Sequence, residues 1–255
     1  MNPRLANAEF LKLRKRRGLV AAVSAVTILP MVVAYVVLLV LHANDPGKHG
    51  PAGGLENFMP SIDILTTLTI LAAVLIGATL GTGDLTAGVF RELVVTGRSR
   101  LSLFTARIPA GLAVLLAPVA VAFGITAAAS RAFAGSLEAP SSTVLAQSGA
   151  WLALMAGVSM VIALGVSSLF SSRGTSIGIL LGWQLGVMPV LLAIGSLGSF
   201  REGLFYAAAD RLQPAALADG PTQVPMAVAT AVVVLVAWTV IPLAFGAWRT
   251  QTRDA

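Results

Sequence analysis

The side chains that could do chemistry are few, and they lie outside the apolar blocks of the chain. The one arrangement with metal-ligand spacing is His42-x-x-Asp45-x-x-x-His49. It falls in a loop containing Pro46 and Gly47 that fixes no geometry, so it reads as a solvated loop with no resident metal. No cysteine occurs among the 255 residues, which removes thiolate nucleophiles, iron–sulfur clusters and Cys-based zinc sites. Ser159 and Ser167 have no neighbouring base in the sequence and read as helix-packing hydroxyls. A phosphate-cradling loop needs Gly-x-x-x-x-Gly-Lys-Ser/Thr, yet the only Gly-Lys pair, Gly47-Lys48, is followed by His49. The chain is therefore expected to be no enzyme and to hold no cofactor, and any nucleotide that drives it is bound by another polypeptide.

Two polar segments remain. Pro3 suits the first helical position behind Asn2 as cap, and the residues to Arg17 suit an amphipathic helix. At about 100° per residue, Glu9, Lys12 and Arg16 share one stripe while Ala6, Phe10 and Leu13 share another. Such a helix fits the membrane interface, with its cations snorkelling to anionic headgroups; a basic flank that only sets topology is the alternative. The second segment runs Asp84-Leu-Thr-Ala-Gly88-Val-Phe-Arg91-Glu92 and on through Gly97-Arg98-Ser99-Arg100 to Arg107. Asp84 as N-cap, Gly97 just past the C-terminus and Ser99 as the next cap predict a short helix between them.

These segments hang on six apolar runs. Only 28 of the residues are charged and 56% are hydrophobic, against about a quarter charged in a soluble domain. Uncharged stretches of the roughly 20 residues that cross a bilayer cover approximately Gly18 to Leu41, Ile64 to Gly83, Ile108 to Ser130, Gly149 to Phe170, Gly174 to Phe200 and Val224 to Trp248. Because lipid offers no partner for free backbone groups, each should be a helix. The first run is too long for a signal-peptide core of about 7 to 15 residues and ends in no A-x-A pattern, so it stays as a span. Thirteen of the Lys and Arg residues fall on the side of the termini and only Lys48, Arg131, Arg201 and Arg211 on the other, so both termini are expected in the cytoplasm. The net charge of +6 would suit nucleic acid only if the cations shared one polar face, and here they alternate with apolar blocks. No charge falls inside a run, whereas ion-coupled carriers place ionisable groups at membrane depth.

Span five carries Gly174, Gly178, Gly182 and Gly186, a glycine at every fourth position, and span two repeats the pattern once with Gly77 and Gly81. Such ladders let helices approach closely; packing within the chain is the plain reading and a path between two copies the other. Thr66, Thr67, Thr69 and Gln184 are the polar groups available to line a path, though each threonine can also bond back to its own helix. The stretch from Phe200 to Pro214 mixes Phe205, Tyr206 and Leu212 with Arg201, Glu202 and Arg211 and reads as a short amphipathic helix at the outer interface.

The pairing of a basic amphipathic N-terminal helix with an acidic-to-arginine loop resembles the permease subunits of type-2 ABC exporters. Glu9 and Lys12 match the family's acid-x-x-Lys pattern; Asp84, Gly88, Arg91, Gly97, Ser99, Arg100 and Arg107 match its loop between spans two and three. Many relatives carry Glu where this chain has Asp84. The resemblance implies an all-α, six-span permease occupying residues 1–255 as one domain. Within it lie an amphipathic helix at 1–17, a cytoplasmic coupling loop at 84–107 and, at 199–223, an outer loop that resembles the family's outer helix or re-entrant turn before the last span. It also implies a separate ATP-binding subunit docked on Glu9, Lys12, Asp84, Gly88, Arg91, Glu92, Arg98 and Arg100, and a second permease, identical or a paralogue. Spans two and five would line the path, which brings in Thr66, Thr69, Gly174, Gly178, Gly182, Gln184 and Gly186. Substrate export across the cytoplasmic membrane is the expected function, with membrane lipid the other partner and nucleic acid none. A non-transporting scaffold or sensor with a basic docking face is the alternative from a different class.

Overall fold

The computed structural model describes residues 3–86, 99–218 and 222–252. All regular structure among them is helical: α1 Pro3–Lys15, α2 Arg17–Asn44, α3 Gly54–Thr86, α4 Arg100–Ala132, α5 Ser142–Ser167, α6 Arg173–Leu181, α7 Met188–Ala193, α8 Phe205–Leu212 and α9 Val228–Thr252. A π-helical turn, Gly182–Val187, joins α6 to α7, and a 3₁₀ stretch, Gly195–Gly203, follows α7. Six stretches are long and apolar enough to cross a membrane: α2, α3 to Gly83, α4, α5, the α6–α7 unit and α9. The six expected runs are thus all present, and the protein is a multi-pass membrane protein.

Several helices outrun the apolar stretches that announce them. The second was expected from Ile64 but begins at Gly54, where Asn57 Nδ2 donates to the carbonyls of Pro51 and Gly53, each at 3.0 Å. Two loops also latch at this end, with Gly53 N–H donating to Phe133 O at 2.8 Å and Leu55 N–H to Glu138 O at 2.7 Å. The apolar run of the third starts only at Ile108, yet its helix begins at Arg100, where Ser99 caps it as expected by accepting from Ser102 N–H at 3.2 Å. The physical reason is common to both: hydropathy measures what lipid covers, whereas helical hydrogen bonding continues until a cap stops it. In consequence Asp63 and Arg107 lie on membrane helices rather than outside them, and Arg107 is buried. Asp84, expected to cap a new helix, sits instead in the last turn of α3, whose backbone runs unbroken to Thr86.

Span five departs the other way. Expected to Phe200, it ends at Ala193 and gives way to the 3₁₀ stretch, in which Gly198 takes φ +51°, a left-handed geometry that glycine adopts without penalty. The amphipathic segment expected over Phe200 to Pro214 is α-helical only as α8, its first residues belonging to the 3₁₀ stretch. One face of it turns inward, with Phe205, Ala207, Ala208 and Ala209 all buried, while Tyr206, Asp210, Arg211 and Leu212 are half-buried.

The core is centred on α3 and α5, the two helices most enclosed by the rest of the chain. Small residues bring them together. A Cβ placed on Gly77 would come 2.5 Å from Ala163 Cβ, and one on Gly81 would come 2.7 Å from Ser167 Cβ. α9 crosses α5 as closely, Gly165 facing the backbone of Pro242 and Gly246 facing that of Gly165. Tyr35 on α2 hydrogen-bonds Ser130 on α4, both buried. The outer faces of α2 and α9 expose Val33, Val36, Val40, Val233, Val236 and Ile241, apolar surface that a bilayer covers.

Candidate functional site

The α6–α7 unit has two opposite stripes of the same period. Ser176, Leu180, Gln184 and Met188 are buried against the chain, while Gly174, Gly178, Gly182 and Gly186, offset by two residues, are all exposed. A Cβ on Gly178, Gly182 or Gly186 would meet nothing within 4 Å, and one on Gly174 only Ser172 Oγ at 4.0 Å. Packing within the chain, the plain reading of this ladder, is therefore incorrect for span five, although it is correct for Gly77 and Gly81 on α3. The π turn helps to keep the stripes straight. Four residues of α-helix rotate about 40° past a full turn, and a wider turn with i→i+5 bonds absorbs part of that drift.

Gln184 sits in that turn, 5% exposed, with its Oε1 lacking a hydrogen-bond partner. It lies between two cavities. One, of about 540 Å³, is polar and opens between α3, α5, α7 and α8; Asp63, Thr66, Thr67, Gln184, Tyr206 and Asp210 line it. Asp63 is twenty residues before Gly83, or about 30 Å along the helix, so this cavity lies at the far end of the span from the α1 end. Thr66 Oγ1 donates to Ile62 O at 2.8 Å and Thr67 Oγ1 to Asp63 O at 3.1 Å. Their protons are spent on the backbone, and only lone pairs face the cavity. Asp210 Oδ2 accepts from Gln223 N–H at 3.0 Å, and Gln213 donates through Nε2 to Leu217 O at 2.9 Å. Burial pushes the Tyr206 phenol above its ordinary range, so it remains a protonated donor–acceptor at neutral pH. Thr69, expected on a path, is instead wholly buried outside this lining, its hydroxyl making no hydrogen bond among the described residues.

The second cavity, of about 530 Å³, is apolar; Gly178, Gly182, Trp183, Val187, Phe205 and Trp238 are among its walls. Trp183 and Trp238 approach to 6.1 Å between ring centroids, and Trp238 Nε1 donates to Gly203 O at 2.9 Å. Thr66, Thr67 and Gln184 could be found from sequence as rare polar groups in apolar runs. Asp63, Tyr206 and Asp210 could not, because each reads as a loop or interface residue until α8 folds inward.

At the opposite end, α1 packs beneath α3 and α4. Glu9 and Lys12 pair at 3.3 Å. Lys12 and Arg16 were expected to snorkel to headgroups, but both are half-buried and turn toward Thr79, Leu80 and Gly83 of α3; the Arg16 guanidinium lies 3.3 Å from a Cβ position on Gly83. Their apolar neighbour explains this, since Leu13 is 2% exposed and anchors the same face. Among the described residues, the exposed cations on this side are Arg4, Arg14, Lys15, Arg17 and Arg173. Arg100 Nη1 donates to Gln251 O at 2.9 Å, tying the start of α4 to the last turn of α9, a position where helix carbonyls favour a cation. Gly88, Arg91, Glu92, Gly97 and Arg98 lie outside the described residues, as does the side chain of Asp84. Around His42, the ring Nδ1 stands 2.8 Å from His49 O.

Compared with known proteins, residues 5–194 match a family model described as ABC-2 family transporter protein. That span holds α1 and the first five membrane crossings, about three quarters of the chain. No curated protein matches it.

Proposed function

From the premise that this chain belongs to the ABC-2 family of transporter membrane proteins, we propose that it exports a substrate across the cytoplasmic membrane, driven by a separate ATPase subunit. The observation that carries the transporter reading is the match over residues 5–194, joined to six membrane-crossing helices. The α1 end is the cytoplasmic one on this reading, supported by the thirteen cations on that side. Glu9, Lys12 and the segment from Asp84 to Arg100 receive the ATPase: α1 and the end of α3 meet there, so force on the loop is transmitted into the helix that carries Thr66 and Thr67. The exposed glycine ladder supports a second copy or paralogue seated on span five, because close helix approach in lipid needs small residues and no described residue of this chain covers them.

Co-expression with an ATPase encoded beside the chain tests the proposal. The pair should co-purify, and inverted vesicles should accumulate cargo on adding ATP. Replacing Arg91 and Glu92 together by Ala should leave insertion intact and lose about tenfold or more of coupled ATP hydrolysis, since charges at a docking rim position the partner rather than hold the fold. Unchanged co-purification and transport would remove the coupling assignment. Orientation has its own check: in this cysteine-free chain, an impermeant maleimide on intact cells should label Lys48→Cys and spare Arg98→Cys.

A further inference from the structure

Trp238 is a wall of two apolar cavities. One is the cavity of about 530 Å³ that it shares with Trp183 and Phe205; the other, of about 350 Å³, runs along α9 past Val234, Ala237, Ile241 and Pro242 to Gly203. Gln184 and the Trp183 indole are the polar side chains left in these linings, because the Trp238 N–H is spent on Gly203 O at 2.9 Å. Apolar voids stay dry, so their walls forgo dispersion contacts unless hydrocarbon enters. The turn that anchors Trp238 also carries a cation. Leu204 N–H donates to Arg201 O at 3.1 Å, closing the turn that holds Gly203. Arg201 spends one Nη1 proton on Leu192 O at 3.2 Å, while its Nη2 is open to the surface and has no partner among the described residues. No carboxylate pairs with it there, its neighbour Glu202 included. Leu192 lies nine residues beyond Trp183, about 13 Å of helix, which is close to the roughly 15 Å of hydrocarbon in one leaflet. We infer that the two cavities hold the two acyl chains of one membrane phospholipid, with its phosphate on Arg201 Nη2. The guanidinium matches the phosphate by charge, and the grooves match the chains by polarity and depth. A second protein helix would bring no anion to Arg201, and a free phosphate would leave the cavities empty.

Which leaflet supplies the lipid, the outer one, rests on the orientation proposed above; the binding itself does not. Purified protein in dodecyl maltoside micelles is titrated with phosphatidylglycerol carrying 9,10-dibromostearoyl chains, whose bromines quench Trp183 and Trp238 on entry. Trp248, on the exposed face of α9, supplies the linear background of non-specific partitioning. The same chains on diacylglycerol remove the phosphate, and lysophosphatidylglycerol with one such chain removes the second tail. Saturable quenching at one phospholipid per protein chain is expected, with each truncated ligand bound about tenfold or more weakly. Arg201→Gln should weaken phospholipid binding about tenfold, the loss of one hydrogen bond to a charged group, and leave diacylglycerol unchanged, a split that lost packing would not produce. Arg201→Lys, which keeps the charge, should restore most of the affinity. Ala237→Phe, at a half-exposed position, fills the α9 groove and should reduce phospholipid binding to the level of the single-chain ligand. If the arginine variants are not monodisperse, Ala237→Phe decides. Quenching that never saturates, equal affinity for phospholipid and diacylglycerol, or unchanged affinity in the well-folded variants overturns the inference. So does saturable quenching that vanishes in the complex assembled with its ATPase, because a second copy then covers the grooves. Maleimide labelling of Lys48→Cys in a protein with no saturable lipid leaves the topology standing and sinks this site; saturable lipid in a protein labelled instead at Arg98→Cys does the reverse.

Discussion

Gly77 and Gly81 on α3 share their four-residue spacing with Gly178 and Gly182 on span five, yet the first pair is sealed against α5 and the second faces outward, its Cβ positions meeting no described atom within 4 Å. In water the outward pair would be unremarkable surface. In a bilayer the hydrophobic effect does not distinguish lipid from a neighbouring helix, so close packing is what small residues contribute. The buried pair has used that contribution inside the fold. The exposed pair still holds it, beside the apolar cavity that Gly178 and Gly182 themselves wall. The contrast divides the molecule into a rigid centre, where α3, α5 and α9 touch backbone to backbone, and a span-five glycine face that no described residue of this chain covers.

The largest effect should come from filling the centre. Gly165 faces the carbonyl group of Pro242 and Gly246 faces Gly165 in turn, so a leucine at Gly165 has only backbone to displace. Overpacking typically costs about 1 to 3 kcal/mol, and more where the neighbour cannot move. Gly165→Leu should yield aggregated or degraded protein in place of a monodisperse peak on size-exclusion chromatography. A well-folded Gly165→Leu would break the contrast at its buried side.

How legible these regions were in the sequence follows from the same physics. The six crossings could be read because lipid demands about 20 apolar residues whatever packs beside them. Ser99 as a cap and Glu9 with Lys12 as a pair could be read because both are local. Which way the glycine ladder points could not: spacing places Gly174 to Gly186 on one face and is silent on what the opposite face buries. Ser176, Leu180, Gln184 and Met188 settle that, and their shared period was there to be noticed. The inward turn of α8, which brings Tyr206 and Asp210 to Thr66 and Gln184, depends on tertiary contacts that carry no hydropathy signal. The π turn has no sequence signature of its own.

A leucine at Gly182 sharpens the exposed side of the comparison. With no described atom within 4 Å of its Cβ position, the monomer should fold and insert as the native protein does, with an unchanged unfolding midpoint. Its association should suffer instead, because four added carbons stand where a second helix is expected to approach. Chemical cross-linking in the membrane should show less dimer, with ATP-driven transport falling alongside. A destabilised Gly182→Leu monomer would mean that span five packs on its own chain after all, and full transport would mean that its partner is lipid.

The smallest effect, and the one with the opposite sign, belongs to alanine at Gly178. Within α6 this glycine has an ordinary helical backbone and open space around it, so an added methyl meets no obstacle while the unfolded chain loses conformational freedom. Replacing an unhindered mid-helix glycine by alanine gains about 0.5 to 1 kcal/mol. Gly178→Ala should therefore raise the thermal midpoint of the detergent-solubilised monomer slightly, whereas Gly77→Ala, with its Cβ 2.5 Å from that of Ala163, should lower it. Because the two substitutions add the same methyl to glycines in matching ladders, any difference in sign reports packing alone. If both midpoints fall, a segment of this same chain covers span five, and the distinction between a rigid centre and an unpartnered face is lost.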